Sequence, residues 1–255
     1  MGPGLTIGVA GAPGRMGRAV ARVIEAREGL AIGTLFGRPD AVGKAPDTVE
    51  EALDACDVII DFSSAASSAD LAARAAARGG PALVIGSTGF SAAQDAAVDV
   101  AAKRIAIVKS NNFSVGVTLL ATLVEQAAAR LGPELWDIEV AEAHHRGKLD
   151  APSGTALLLA KAAARGRGEA LAEITAPARE GVRGARREGA IGFSVLRGGG
   201  IVGEHAVVFA AEDEILTLSH SARDRRLFAN GAVRAAAWVA GRAPGLYGMR
   251  DVLGL

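Results

Sequence analysis

Short, nearly unbroken apolar runs alternate with amphipathic stretches through the first half of the chain. Residues 5–10, 30–36, 57–62, 82–86 and 105–108 each read as a strand. Between them, residues 18–25 place Val20, Val23 and Ile24 at helical spacing. Residues 66–78 form an Ala-rich helix that stops at Gly79-Gly80, and 92–103 form another. Apolar strands alternating with helices imply a parallel sheet covered on both faces.

After residue 112 the pattern changes. Residues 118–131 and 153–165 are helical, and 136–142 alternate as a half-buried strand does. A polar, Arg/Gly-rich segment fills 166–189. Residues 191–196, 201–209 and 214–220 read as successive strands of an antiparallel meander, the first two joined by Gly198-Gly-Gly200. A helix over 227–240 and a short tail close the chain. The expected class is α/β: a Rossmann-type dinucleotide-binding domain plus a second α+β domain with an open mixed sheet. The first is expected over 1–112, with 228–255 returning to it. The second, for substrate binding and oligomerisation, spans 113–227.

Gly11-Ala12-Pro13-Gly14-Arg15-Met16-Gly17 lies between the first strand and the first helix, where a dinucleotide fold seats its pyrophosphate on helix N-terminal amides. Alone, this GxxGxxG spacing is also compatible with a simple tight turn. Its place at the first of five alternating units gives it weight. The second strand ends Phe36-Gly37-Arg38-Pro-Asp40, with no acid at the strand end to meet a ribose 2′-hydroxyl. Arg38 is available to a 2′-phosphate, which favours NADPH, while a solvated surface arginine and nearby Asp40 keep NADH open.

Composition narrows the class further. The 255 residues are 50% hydrophobic, and 28 basic residues balance 28 acidic ones, which argues against bulk binding to nucleic acid or an anionic membrane. No apolar run reaches the ~18–20 residues of a membrane helix, and no secretory signal is evident. Cys56, the single cysteine, cannot form an internal disulfide, so a cytoplasmic location is expected. No Cys/His/Asp/Glu set has metal-ligand spacing, since His144-His145 are adjacent without a third ligand nearby, and no metal is expected. His205 and His220 fall in alternating strands and read as structural histidines.

Histidine and lysine are rare, with four and five copies, yet two histidines and one lysine cluster in Glu142-Ala-His144-His145-Arg-Gly-Lys148-Leu-Asp150-Ala-Pro152-Ser153-Gly154-Thr155. Pro152 suits the first helical position with Asp150 or Ala151 as cap. The amides of Ser153, Gly154 and Thr155, with Lys148, then form a carboxylate site. Two histidines at a strand end can reach one cleft for proton transfer near neutral pH.

With these motifs the chain resembles the 4-hydroxy-tetrahydrodipicolinate reductase (dihydrodipicolinate reductase) family. Besides the glycine loop and the His-His-Lys signature, the resemblance rests on Gly86-Ser87-Thr88-Gly-Phe90, Asn112-Phe113-Ser-Val-Gly116, Gly203-Glu-His205 and Phe228-Ala-Asn-Gly231-Ala. It implies nicotinamide-dependent reduction of a cyclic imine bearing two carboxylates, on the diaminopimelate route to lysine. His144 and Lys148 would be proton donors; His145, Lys148, Gly154 and Thr155 would hold the carboxylates. Gly11 to Met16 would bind the pyrophosphate, and Gly86, Ser87, Thr88 the nicotinamide side. Ser110, Asn111, Asn112 and Phe113 would form the hinge beside it, and assembly would be tetrameric through the second domain's sheet. The chain departs from the family pattern at Gly37-Arg38, where Glu-Arg is frequent, at Pro13 in the glycine loop, and at Ser87. A non-catalytic NADPH sensor or a related small imino- or amino-acid dehydrogenase are the alternatives. A sensor has no reason to keep the His144/His145/Lys148/Gly154/Thr155 set.

Overall fold

The computed structural model of the protein describes residues 4–37, 48–176 and 184–255. Arg38 and Asp40, weighed above for the ribose phosphate, lie outside the described residues. The chain divides into two units, one running to Val115 and resuming over Arg226–Leu255, the other Gly116–Arg225.

The first unit alternates β1 (Leu5–Ala10), α1 (Arg15–Glu25), β2 (Leu30–Phe36), α2 (Val49–Ala55), β3 (Val58–Asp61), α3 (Ala65–Arg78), β4 (Ala82–Ile85), α4 (Ala92–Ala102) and β5 (Ala106–Lys109). The second holds α5 (Val115–Ala128, starting at the junction), β6 (Asp137–His144), α6 (Gly154–Gly166), α7 (Leu171–Ile174), β7 (Ile191–Arg197), β8 (Gly203–Ala210) and β9 (Ile215–Ala222). The chain then rejoins the first unit as α8 (Arg226–Val239), β10 (Gly245–Tyr247) and α9 (Met249–Leu253).

The first unit explains its apolar runs directly. Along β3, Val58 and Ile60 pack with Val20, Ile24 and Val233 of α1 and α8, whereas Ile59 packs with Leu71 and Ala75 of α3. Both pleat faces are buried, so no polar alternation survives. The sheet is parallel, in the order β10-β5-β4-β3-β1-β2. Strand order reverses at β1 and β3, and the crevice beyond their C-terminal ends is where doubly wound sheets bind ligands. Five parallel strands were expected from the pattern; β10 is a sixth. Its three residues are too few to show a period.

The second sheet runs β7-β6-β8-β9. β8 and β9 form the expected antiparallel hairpin, but the expected pairing of 191–196 with 201–209 is corrected. β7 lies parallel to β6, and β6 separates it from β8. Gly198–Gly200 is therefore a crossing over the end of β6 rather than a hairpin turn. The Gly198 N–H donates to the His144 carbonyl at 2.9 Å, and the Arg146 N–H to that of Gly199 at 3.2 Å. Leu120, Val124 and Leu159 of α5 and α6 bury Ile138, Val140 and Phe209 on one sheet face. No described helix covers the other face.

Candidate active site

The glycine loop is shaped by close backbone approach. Gly11 adopts φ +74°, and a Cβ there would lie 2.8 Å from the Phe62 carbonyl oxygen. At Gly17 a Cβ would lie 2.3 Å from the Gly11 oxygen, so α1 can start this close to the loop only without a side chain. Two loop amides are consumed internally: Ala12 donates to the Phe36 carbonyl at 3.1 Å and Gly14 to that of Gly11 at 2.9 Å. Pro13 offers none. That leaves the Arg15 and Met16 amides in the first turn of α1. Its Gly14 cap supplies no side-chain acceptor, and no acid stands in that turn. By contrast, α2, α3, α4 and α6 have their first turns capped by their own Thr48, Ser64, Ser91 and Ser153. An uncapped, acid-free helix start behind a glycine turn fits a dinucleotide pyrophosphate.

Gly37, at the end of β2, has φ +148°, and a Cβ on it would press within 3.2 Å of the Gly11 Cα. At the strand ends beyond, Phe62 and Phe113 meet edge to face with centroids 5.8 Å apart. The Ser110 hydroxyl donates to the Asn112 carbonyl at 2.7 Å, and Asn112 Oδ1 accepts the Ser114 N–H at 2.8 Å, which fixes this turn before α5. Gly231 lets α8 lie on the Phe113 carbonyl; a Cβ there would be 1.7 Å from that oxygen. The Ser87 hydroxyl is occupied by Ser68 at 2.7 Å.

In the second unit β6 carries its chemistry where it leaves the core. Ile138, Val140, Glu142 and His144 share the buried pleat face, so two polar residues continue an apolar row. His144 Nδ1 lies 2.5 Å from Glu142 Oε2. The Arg197 guanidinium grips both Glu142 oxygens at 2.8 Å, and the Ser153 N–H adds a bond to Oε1 at 3.0 Å. Burial alone would raise the Glu142 carboxyl, but bonds from Arg197, His144 and Ser153 hold it below its ordinary range. A carboxylate at Nδ1 fixes the neutral ring's proton there and leaves Nε2 as the working nitrogen. That nitrogen stands against Gly203, where a Cβ would be 3.1 Å away.

His205 belongs to this cluster, which the reading of a separate structural histidine did not foresee. It pairs with Glu142 across β6 and β8, packs edge to face on His144 at 5.0 Å, and its Nε2 meets the Ser153 hydroxyl at 3.0 Å. Burial, reinforced by His144, lowers its pKa to about 4. The expectation that no metal-compatible set exists is likewise corrected in geometry, because ligand atoms of Glu142, His144 and His205 lie within 4.8 Å of one another. Both Glu142 oxygens are already engaged by Arg197, His144 and Ser153, which disfavours a cation there.

The helix start also differs from expectation. Ser153, not Asp150 or Ala151, caps α6, accepting the Ala156 N–H at 3.1 Å, and Pro152 precedes the cap. The Ser153 amide is spent on Glu142. Gly154 opens the first turn, with open space where its Cβ would stand. Lys148 binds Asp150 at 2.7 Å, and that contact holds the Asp150 carboxyl below its usual range. His145 faces a cation the sequence did not single out: the Arg225 guanidinium lies 3.2 Å from its Nε2. The unit thus gathers Lys148, His145, Arg225 and a helix N-terminus, a setting suited to a small dianion.

Comparison with known proteins bears on both units. Residues 5–113 match the family described as "Dihydrodipicolinate reductase, N-terminus", and residues 116–253 its "C-terminus". A 4-hydroxy-tetrahydrodipicolinate reductase of Caulobacter vibrioides is 58% identical over 97% of this chain and 96% of its own. One from Acidiphilium cryptum is 49% identical over 100% and 99%. Among solved structures, a dipicolinate-bound dihydrodipicolinate reductase from Paenisporosarcina sp. TG-14 shares the fold with TM-score 0.81 and 23% identity, covering 97% of this chain and 99% of the other.

Proposed function

The chain belongs to the dihydrodipicolinate reductase family, and on that premise we propose that it prefers NADPH to NADH and uses His144 and Lys148 for proton chemistry. Its reaction is the pyridine-nucleotide-dependent reduction of 4-hydroxy-tetrahydrodipicolinate to tetrahydrodipicolinate, with the 4-hydroxyl leaving as water, on the diaminopimelate route to lysine. The observation that carries the proton assignment is the bond from His144 Nδ1 to the clamped Glu142 carboxylate. The bound nicotinamide supplies the hydride. The protein must then hold a dianionic substrate and protonate carbon where negative charge develops. His144 delivers that proton from Nε2 as the imidazolium, keeping Nδ1–H on Glu142, and is left as the neutral ring protonated at Nδ1. Lys148, released from Asp150, pairs with a carboxylate and stabilises the growing charge. His145, Gly154 and Thr155 hold the carboxylates, and Arg225 beside His145 adds a positive charge.

In the first unit the Arg15 and Met16 amides, on the turn of Gly11, Ala12, Pro13 and Gly14, receive the pyrophosphate. Gly86, Ser87 and Thr88, with Ser110, Asn111, Asn112 and Phe113, border the nicotinamide. Preference for NADPH is supported by Gly37: no acid stands at the end of β2, where a Cβ would crowd the Gly11 Cα at 3.2 Å. Arg38 then takes the 2′-phosphate. A cytoplasmic tetramer built on the open sheet face completes the proposal.

Two variants test it. His144→Gln is expected to lower kcat by ~100- to 10,000-fold with little change in the KM for NADPH. Near-full kcat in that variant from about pH 6 to about pH 9 would move proton donation to Lys148 or water. Arg38→Ala is expected to raise the KM for NADPH far more than that for NADH, and equal effects would sink the cofactor preference.

A further inference from the structure

Asp61 ends β3 with 0% exposure, in register with Ala10 of β1 and Ile85 of β4, and the chemistry proposed above leaves it unused. It stands at the C-terminal edge of the sheet where strand order reverses. A buried acid is costly unless its surroundings employ it. Its Oδ1 accepts the Ser63 N–H at 2.8 Å, and its main-chain carbonyl accepts the Gly86 N–H at 2.8 Å. Oδ2 meets no donor at good hydrogen-bond geometry. Burial pushes the carboxyl up, and the nearby Ser63 and Ser68 hydroxyls pull the other way.

Two loops lean on this residue. The first contains Phe62, whose ring fills the space a side chain at 86 would need: a Cβ on Gly86 would lie 2.2 Å from its Cε1. The same ring meets Phe113 edge to face. The second loop is reached through Ser68, fully buried in α3, whose hydroxyl bonds that of Ser87. Asp61 thus sits behind residues 62–63 and 86–87 together. Moving its carboxyl would release the Ser63 amide and disturb the Ser68–Ser87 pair at once.

Resting on the cofactor reading given above, we propose that Asp61 is a positioning residue for the nicotinamide half of the dinucleotide. Through the Ser63 amide and the Ser68–Ser87 pair it holds Phe62 and Gly86 as the wall beside that ring. A role confined to domain stability would weaken both halves of the cofactor alike. A positioning role is selective for the nicotinamide half.

Calorimetric titration of the full chain with NADPH and with 2′-phospho-ADP-ribose, which lacks nicotinamide, separates these roles. Asp61→Ala is expected to weaken NADPH about tenfold, with a matching rise in its KM, and to leave 2′-phospho-ADP-ribose within about twofold. Asp61→Asn keeps an oxygen for the Ser63 amide and is expected to restore NADPH binding to within about threefold. Ser68→Ala, a mild change for use if Asp61→Ala fails to fold, is expected to show the same selective loss at smaller size. Equal weakening of both ligands, no rescue by Asn, or unchanged NADPH binding in the folded variants would overturn the role of Asp61. Wild-type protein that binds neither ligand would instead overturn the cofactor reading, and this inference with it.

Discussion

Glu142 accepts from Arg197, His144 and Ser153 with its two buried oxygens, so His144 is aimed by a residue that is itself immobilised. The sequence displays His144, His145 and Lys148 because rare residues cluster there. It does not display that Arg197 and His205, far along the chain, join them. They arrive through register: Arg197 stands opposite His144 across the parallel β6–β7 pair, and His205 opposite Glu142 across β6–β8. Only strand pairing reveals those neighbours. Removing Arg197 would leave the Glu142 carboxylate without its cation, a change that destabilises such pairs. Arg197→Ala is therefore expected to lower the denaturation midpoint and reduce kcat at least about tenfold, because His144 loses its fixed partner. Urea unfolding and steady-state assays on one preparation check both. A variant with wild-type stability would show that Glu142 is not held by this cation.

The cap of α6 and the middle of β8 meet where the Ser153 hydroxyl touches His205, and this link between elements carries a pH dependence. His205 has an ordinary pKa of about 6.5 once unfolded and about 4 when folded, lowered by burial first and by His144 next. Between those values the unfolded chain binds the proton and the folded chain does not. Stability is thus full above pH 6.5 and is lost as pH falls toward 4, by a total on the order of 3 kcal/mol. His220, opposite on β9 and lowered by burial, adds to the same slope, whereas Glu142 and Lys148 bring opposite charges to the site. Thermal unfolding from about pH 7.5 to about pH 4.5 is expected to show a falling Tm, with a shallower fall in His205→Asn. An identical slope in that variant would assign the effect elsewhere. The elements themselves were only partly legible. Alternation marked β7 and β8 correctly as strands, but alternation cannot say which strand lies between them. The three glycines that suggested a hairpin instead bridge the end of β6. The cap was misplaced by two or three residues for a related reason: Pro152 fits a first helical turn locally, yet the Ser153 side chain and the Glu142 bond to its amide set the cap.

At the scale of the whole molecule, the parallel sheet was legible because burial on both faces writes an apolar run, and β10 was missed because three residues write nothing. The second sheet is different, since the described helices cover one face only. Its other face carries Ala141 and Ala143 of β6, Leu196 of β7, Ala206 and Val208 of β8, and Ile215 of β9. Leu196 is 54% exposed and Ile215 68%. A solvated face of a mixed sheet is ordinarily polar, so the small apolar residues along its centre are where the proposed tetramer would bury this sheet. Glu139 and Glu204 lie towards its two ends, and Glu139 is neutralised by Arg186. A self-complementary patch of this kind forms a stable interface when it buries about 1,200–2,000 Å² in total. Val208→Lys adds a long charged side chain to this face, opposite Glu139 of β6, without touching the helix-covered core. It is expected to shift sedimentation from a species of about four chains toward the 25.8 kDa monomer at micromolar protein, with the far-ultraviolet circular dichroism unchanged. Retention of the larger species by Val208→Lys would place the interface on another surface, and a monomeric wild-type protein would leave this apolar face without a second copy to cover it.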